Sequence, residues 1–260
     1  GVRTSVTPGN PDGADDQIYL NGIQKDDAEV SRTVIALFRD QLKKINRTWE
    51  NPLIVRHSIE VPIGSGFGSS GAGALSLAYG LNRLSGAGLS PLKCAEIAHC
   101  AEVLNKTGLG TVAGVVARGF EIRLKPGAPG VGMVMNIPVE KPYTACFASF
   151  GPFSTKDALS NPKIRQAINR AGTVLLQRLI ESPSVPNFMA FSREFAERIG
   201  LITTPVREVL TALDLAGYVG SMHMFGNGVF SLVSKEAEEE VLGIFKRFAD
   251  RATIFSAGIA

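Results

Sequence analysis

The chain is short of the residues that build disulfide frameworks, zinc sites and histidine-based catalysis. Its 260 residues include 3 cysteines, Cys94, Cys100 and Cys146. The count is odd and no Cys-x-x-Cys pair occurs, which argues against a disulfide scaffold or a structural zinc site and fits a reducing, cytoplasmic setting. The 3 histidines, His57, His99 and His223, show neither triad nor metal spacing, so we read them as structural. No apolar run reaches the ~20 residues of a membrane helix, and no signal peptide is visible. An excess of one charge is missing too. Lys and Arg number 27 against 24 Asp and Glu, a net charge of +3. The basic residues are dispersed, so nothing points to nucleic acid, whereas a mildly basic surface suits an anionic small molecule. One absence is local: no Asp lies between residues 41 and 156.

What is present is an ordinary globular composition, 45% hydrophobic and 20% charged, enough for one large domain or two small ones. The most informative stretch runs Val61-Pro62-Ile63-Gly64-Ser65-Gly66-Phe67-Gly68-Ser69-Ser70-Gly71-Ala72-Gly73-Ala74. An alternating segment, Arg56 to Val61, precedes it and a helical apolar pattern follows, giving the order strand, glycine-serine loop, helix. Glycines allow positive φ and close approach to a ligand. A helix start offers unpaired N–H groups and the positive end of a dipole, for which phosphate is the natural guest. The loop lacks the Gly-Lys-Ser/Thr ending of a Walker A motif. It also lacks the acidic residue after a second strand that a Rossmann fingerprint requires. From these residues alone an ordinary glycine turn with a Ser cap stays open beside a phosphate site.

The remaining pattern alternates strands and helices. Strands are expected at 2–6 and 17–20 around a Pro/Gly/Asp turn, and a helix carries Val30, Val34, Leu37, Phe38, Leu42 and Ile45. The helix after the loop carries Leu75, Ala78, Leu81 and Leu84 and ends at Gly86-Ala87-Gly88. Ser90 caps the next helix, with Pro91 at its first position, to about Asn105. Strands follow at 120–124, 131–139 and 143–150, then a loop over 152–157. Helical stripes run through Ile164 to Leu179, Phe188 to Ile199 and Val206 to Leu213. A hairpin about Gly226-Asn227-Gly228, a helix over 235–250 and a strand over 252–259 close the chain. This predicts an α+β fold in two lobes, 1–138 and 139–260. The opening Gly1-Val2-Arg3-Thr4-Ser5-Val6 reads as mid-strand without a Met, so we expect an N-terminal segment to be missing.

The segment from Pro62 to Gly71 resembles the second motif of the GHMP kinases, a Pro-x-x-x-Gly-Leu-Gly-Ser-Ser-Ala-type loop, with Phe67 for the usual Leu and Gly71 for the usual Ala. A narrower set is similar to the archaeal pantoate kinases. It comprises Glu102 with Lys106-Thr107-Gly108-Leu109-Gly110-Thr111-Val112, then Gly119 to Arg123, then Lys125-Pro126-Gly127-Ala128-Pro129-Gly130. The resemblance implies a GHMP-kinase-like fold, with an N-terminal lobe like domain 2 of ribosomal protein S5 and a ferredoxin-like C-terminal lobe. It implies an ATP-dependent kinase acting on the 4-hydroxyl of pantoate, on the archaeal route to coenzyme A, possessing Mg²⁺ as cofactor and a small molecule as partner. A homodimer is admissible. A homoserine- or mevalonate-type acceptor, or a non-catalytic nucleotide-binding relative, stays open as an alternative.

The same resemblance assigns candidate residues. Pro62, Gly64, Ser65, Gly66, Gly68, Ser69, Ser70 and Gly71 would surround the ATP phosphates. Ser70 and Glu102 would hold Mg²⁺, with Ser69 as the fallback ligand, and a carboxylate on a rigid helix is what that ion uses alongside phosphates. Several GHMP kinases carry a catalytic Asp in the turn after this Glu. Here Thr111 takes that place and would orient the substrate hydroxyl. Lys106, Thr107, Gly108 and Arg123 are candidates for the acceptor. So are Gly226 and Asn227 of the third motif, Ser221-Met222-His223-Met224-Phe225-Gly226-Asn227-Gly228, though Asn-Gly also marks a plain hairpin. Arg118 is a third cation near the Thr-Gly-Leu-Gly turn.

Overall fold

The computed structural model describes residues 1–260 except 12, 14, 109, 140, 141, 154–159, 225 and 260. Most of the loop expected over 152–157 therefore lies outside the described residues, as do Leu109 and Phe225. The chain order is β1 (Val2–Pro8), β2 (Gln17–Leu20), β3 (Ile23–Gln24), α1 (Glu29–Lys44), β4 (Leu53–Ile59), α2 (Ser69–Ser85), α3 (Pro91–Asn105), α4 (Thr111–Ala117), β5 (Glu121–Lys125) and β6 (Met133–Asn136). Then come β7 (Tyr143–Ser149), α5 (Pro162–Glu181), α6 (Val185–Ile199), α7 (Thr204–Leu215), β8 (Gly220–Met222), β9 (Gly228–Ser234), α8 (Glu238–Lys246) and β10 (Thr253–Gly258). The fold is α+β. It divides into two compact units, each discontinuous in sequence. One is Gly1–Val61, Gly68–Ala117 and Arg123–Val134, and the other is Pro62–Phe67, Arg118–Ile122 and Met135–Ala260. The division falls inside the glycine-serine loop, between Phe67 and Gly68.

In the first unit the strand order is β1-β4-β2-β3, with β4 antiparallel to β1 and parallel to β2. Alternation along β4 turns Leu53, Val55 and His57 inward, onto a core shared with Val34, Phe38 and Leu42 of α1, Leu77, Ala78 and Leu81 of α2, and Cys94 and Ala98 of α3. Burying a Leu or Phe of this kind contributes about 1.5–3 kcal/mol. His57 is part of that core: Nδ1 pairs with the Thr4 hydroxyl at 2.8 Å and Nε2 with the Ser31 hydroxyl at 3.1 Å. Two elements were not foreseen. β3 follows a tight turn at Asn21-Gly22, whose φ values of 49° and 83° suit a hairpin that demands positive φ at both positions. α4 holds Val112, Val115, Val116 and Gly114, poor helix formers, and only its contacts with α2 and α3 make it a helix.

In the second unit the four-stranded sheet has the order β10-β7-β9-β8, all antiparallel. The chain runs strand, helices, two strands, helix, strand, the ferredoxin-like arrangement. One sheet face, with Cys146, Ala148, Val229 and Val233, packs on Val206, Val209, Leu210 and Leu213 of α7 and Val241 and Phe245 of α8. Phe147, Phe230 and Phe255 alternate with those residues and meet the aromatic cluster described below. The helix expected over 235–250 starts with a 3₁₀ turn, Lys235–Ala237, and the strand expected over 131–139 shortens to β6, whose approach carries Gly130 and Gly132. Among the described residues no helix is long and apolar enough to cross a membrane.

Candidate active site

The backbone of the loop alternates in handedness. Gly64, Gly66 and Gly68 have φ of 72°, 84° and 66°, while Ser65 and Phe67 between them are not in the positive region. Such alternation lines successive N–H groups along a concavity that favours anions. Gly68 is the left-handed N-cap of α2 and lends that helix no side-chain cap, so the first N–H groups of α2 stay available. Among the described residues, the N–H groups of Gly66, Phe67 and Gly68 donate to no carbonyl.

In the first unit, Glu102 is the centre. Its helix α3 is fixed at the start by the Ser90 hydroxyl, which accepts from the Lys93 N–H, and ends at Lys106, left-handed with φ 55°. Glu102 lies one turn before that end, 1% exposed. The hydroxyls of Ser70 and Thr107 both donate to its Oε1, each at 2.7 Å. Among the described residues Oε2 is buried without a partner, which is costly for a carboxylate oxygen and marks it as an acceptor suited to a donor or a cation. Small residues make room for it. A Cβ on Gly108 would stand 2.4 Å from Oε2, and one on Gly71 would stand 2.9 Å from it. Gly71, without a Cβ, therefore permits a close approach of the carboxylate to α2. Thr111 opens α4 and packs on the same turn, with Cγ2 2.4 Å from a Cβ placed on Gly68. Among the described residues no three His, Cys, Asp or Glu side chains gather as a metal cage. One carboxylate with hydroxyls beside it fits magnesium, which keeps most of its ligands from water and phosphate.

The cations sit differently. A Cβ on Gly110 would fall 1.1 Å from Nη1 of Arg123, so the guanidinium lies directly over the Gly110 backbone, ahead of Thr111. His99, 9% exposed, reports the same neighbourhood. Burial lowers its pKa, Glu102 pulls it up and Arg123 pushes it down. Lys106 is exposed at the end of α3, and Arg118, also exposed, is left-handed at φ 61°.

In the second unit, the first half of the loop rests on the turn between β8 and β9. A Cβ on Gly226 would come 2.2 Å from the Ser65 carbonyl oxygen, and one on Gly66 would come 2.9 Å from Cβ of His223. The Phe153 N–H donates to the Gly64 carbonyl at 2.9 Å. Phe67 meets the rings of Phe147, Phe255 and His223 at 5.3, 5.2 and 4.5 Å. Burial pulls the His223 pKa down to about 4, against backbone groups of Ser65 and Val229 that favour the charged ring. The Asn227 amide oxygen accepts from the Thr203 hydroxyl at 2.7 Å, and its carbonyl accepts from the Phe150 N–H.

Of the residues expected at the site, Gly68, Ser70, Gly71, Glu102, Thr107, Gly108 and Thr111 thus meet in one cluster, and Ser65, Gly66 and Gly226 in another. Ser69 is the buried first residue of α2, and Pro62 leads into the loop. Lys106 faces solvent, and Asn227 is tied to Thr203. Reading the histidines as structural, with a reservation for His223 alone, does not foresee the contact between His223 and the loop. Its only sequence signal was its place three residues before Gly226.

Residues 30–119 match the GHMP kinases N terminal domain family. A pantoate kinase of Thermococcus kodakarensis is 33% identical over 226 residues, covering 86% of this chain and 72% of that protein. A pantoate kinase of Methanocaldococcus jannaschii is 38% identical over 190 residues, covering 73% and 68%. A solved structure described as a phosphotransferase related to the CoA biosynthesis pathway superposes with a TM-score of 0.80 at 29% identity, over 98% of this chain and 82% of that one.

Proposed function

The chain belongs to the pantoate kinases of the GHMP kinase superfamily, and on that premise we propose that it transfers the γ-phosphoryl group of ATP to the 4-hydroxyl of pantoate. The observation that carries this reading is the buried Glu102, with two hydroxyls on one oxygen and, among the described residues, none on the other, in one cluster with a glycine-rich helix start. The N–H groups from Gly64 to Gly71 and the N-terminus of α2 bind the phosphates. Ser70 and Glu102 would hold Mg²⁺, which would neutralise phosphate charge.

The bond from the γ-phosphorus to its bridging oxygen breaks, a new one forms to the alcohol oxygen, and the alcohol proton leaves. A loose transition state of this kind depends mostly on positioning and charge neutralisation, so a site without a catalytic Asp is competent. Thr111 orients the hydroxyl, and the proton passes to water, directly or through the Thr111 hydroxyl as it hands its own proton on. Arg123 is the preferred cation for the pantoate carboxylate because a guanidinium grips it with two parallel hydrogen bonds. Lys106 is the second choice, and Thr107 and Gly108 frame the acceptor.

An ATP-consumption assay with pantoate, homoserine, mevalonate and other hydroxy acids tests this. We expect turnover with pantoate well above the rest. Preference for another acceptor would reassign the substrate, and Mg·ATP binding without turnover on any of them would make the chain a nucleotide-binding relative.

A further inference from the structure

The turn from β8 to β9 grips the first half of the loop by its backbone. Nδ1 of His223 lies 3.1 Å from the Ser65 carbonyl oxygen. A carbonyl only accepts, so Nδ1 carries the proton and Nε2 the lone pair. The ring is 5% exposed, and among the described residues Nε2 is buried without a partner at hydrogen-bond distance, so the contact with Ser65 is the ring's main anchor, with the Val229 backbone beside it. Phe67 stands edge-on to the ring at 4.5 Å and Phe230 lies nearly parallel to it at 6.0 Å. The ring is therefore held in place by packing and presents one donor to one carbonyl.

That carbonyl decides the direction of an N–H. In a trans peptide the C=O and the following N–H point opposite ways. With the Ser65 carbonyl tied to His223, the Gly66 N–H is turned away from the turn, and among the described residues it donates to nothing. Gly66 and Gly226 allow this contact, since a Cβ on either would meet the other side at 2.9 or 2.2 Å.

We propose that His223 is a positioning residue for the nucleotide loop: its Nδ1–H fixes the Ser65–Gly66 peptide plane so that the Gly66 N–H faces a phosphate group. This rests on reading the loop as the ATP site. It gives the third motif a role in nucleotide affinity rather than in contact with the acceptor.

The test is titration of Mg·ATP into wild type, His223→Leu, His223→Asn and His223→Gln, with steady-state kinetics at saturating pantoate. Asn places an amide N–H where Nδ1–H stands, whereas Gln places it near Nε2 and Leu has none. Losing a neutral hydrogen bond that fixes the plane should weaken ATP binding about tenfold in the Leu and Gln variants. KM for ATP should rise with it while kcat stays within about threefold, and Asn should restore affinity to within about threefold of wild type. A folded Leu or Gln variant with wild-type ATP affinity overturns the proposal, as does an Asn variant no better than Gln. Should Leu not fold, the Asn and Gln pair decides alone. Failure of the wild-type protein to bind Mg·ATP brings down the functional reading itself. Wild-type binding with four equal affinities brings down only the role of His223.

Discussion

The two halves of the glycine-serine loop are held by different physics. Residues 64–67 are gripped through backbone carbonyls and an aromatic cluster, Phe67 with Phe147, Phe255 and His223. Residues 68–71 lie against Glu102 and Thr111, where hydroxyls meet a buried carboxylate. The difference teaches that the first half supplies shape and the second half supplies chemistry. Changes in the first half should act on nucleotide affinity, and changes around the second half on turnover.

The largest break expected is at Gly68, where shape and chemistry join. Its φ of 66° costs a β-branched residue more than the ~1–2 kcal/mol of a left-handed position, and its Cβ would meet Thr111 at 2.4 Å. Gly68→Val should weaken ATP binding about a thousandfold, as measured by titration on protein whose fold is checked by circular dichroism. Unchanged affinity in a folded variant would remove the loop from the nucleotide site.

A second effect sharpens the comparison through pH. His57 and His223 both have pKa values lowered to about 4 by burial, from 6.5. Between those values the unfolded chain binds the protons, so stability is complete above pH 6.5 and is lost as the pH falls toward 4. The loss is roughly 3 kcal/mol for each histidine. Denaturant unfolding at pH 7 and pH 4.5 should show it, and His223→Asn should flatten the slope by the share of one such histidine. An unchanged slope would mean that the His223 ring is not held neutral by burial.

The smallest effect is expected at Thr111. Thr111→Val keeps the shape that packs on Gly68 and deletes the hydroxyl. A positioning role predicts a loss in kcat of about tenfold, or 1.4 kcal/mol of barrier. General-base help is typically worth about 10²–10⁴-fold, so a loss beyond about a thousandfold, with folding and ATP binding intact, would show that the hydroxyl is essential to proton removal.

Much of this was legible in the sequence because it rests on local signals. Glycine spacing gave the loop, Ser90-Pro91 gave the start of α3, and alternation gave β4 and β7. Glu102 stands out only through the resemblance to the GHMP kinases, since by itself a Glu near a helix end is most often a solvated charge. The remainder depends on contacts between distant segments. Nothing near His223 announces that residue 65 lies against it, 158 positions away. Thr107 reads as a turn residue until its hydroxyl is seen on Glu102. α4 has the composition of a strand and is a helix only because α2 and α3 give it a surface to pack on. Asn21-Gly22 is a local hairpin signal, with both residues at positive φ.

The division of labour is tested most directly by Glu102→Gln, with kcat across a magnesium titration measured beside ATP affinity in the absence of metal. Gln keeps the size of the side chain and its place among Ser70, Thr107 and the glycines, and removes the charge. The account predicts that kcat falls at least about a hundredfold, through lost charge neutralisation, while metal-free ATP binding stays within about threefold. A variant that turns over at close to the wild-type rate at limiting magnesium would contradict it.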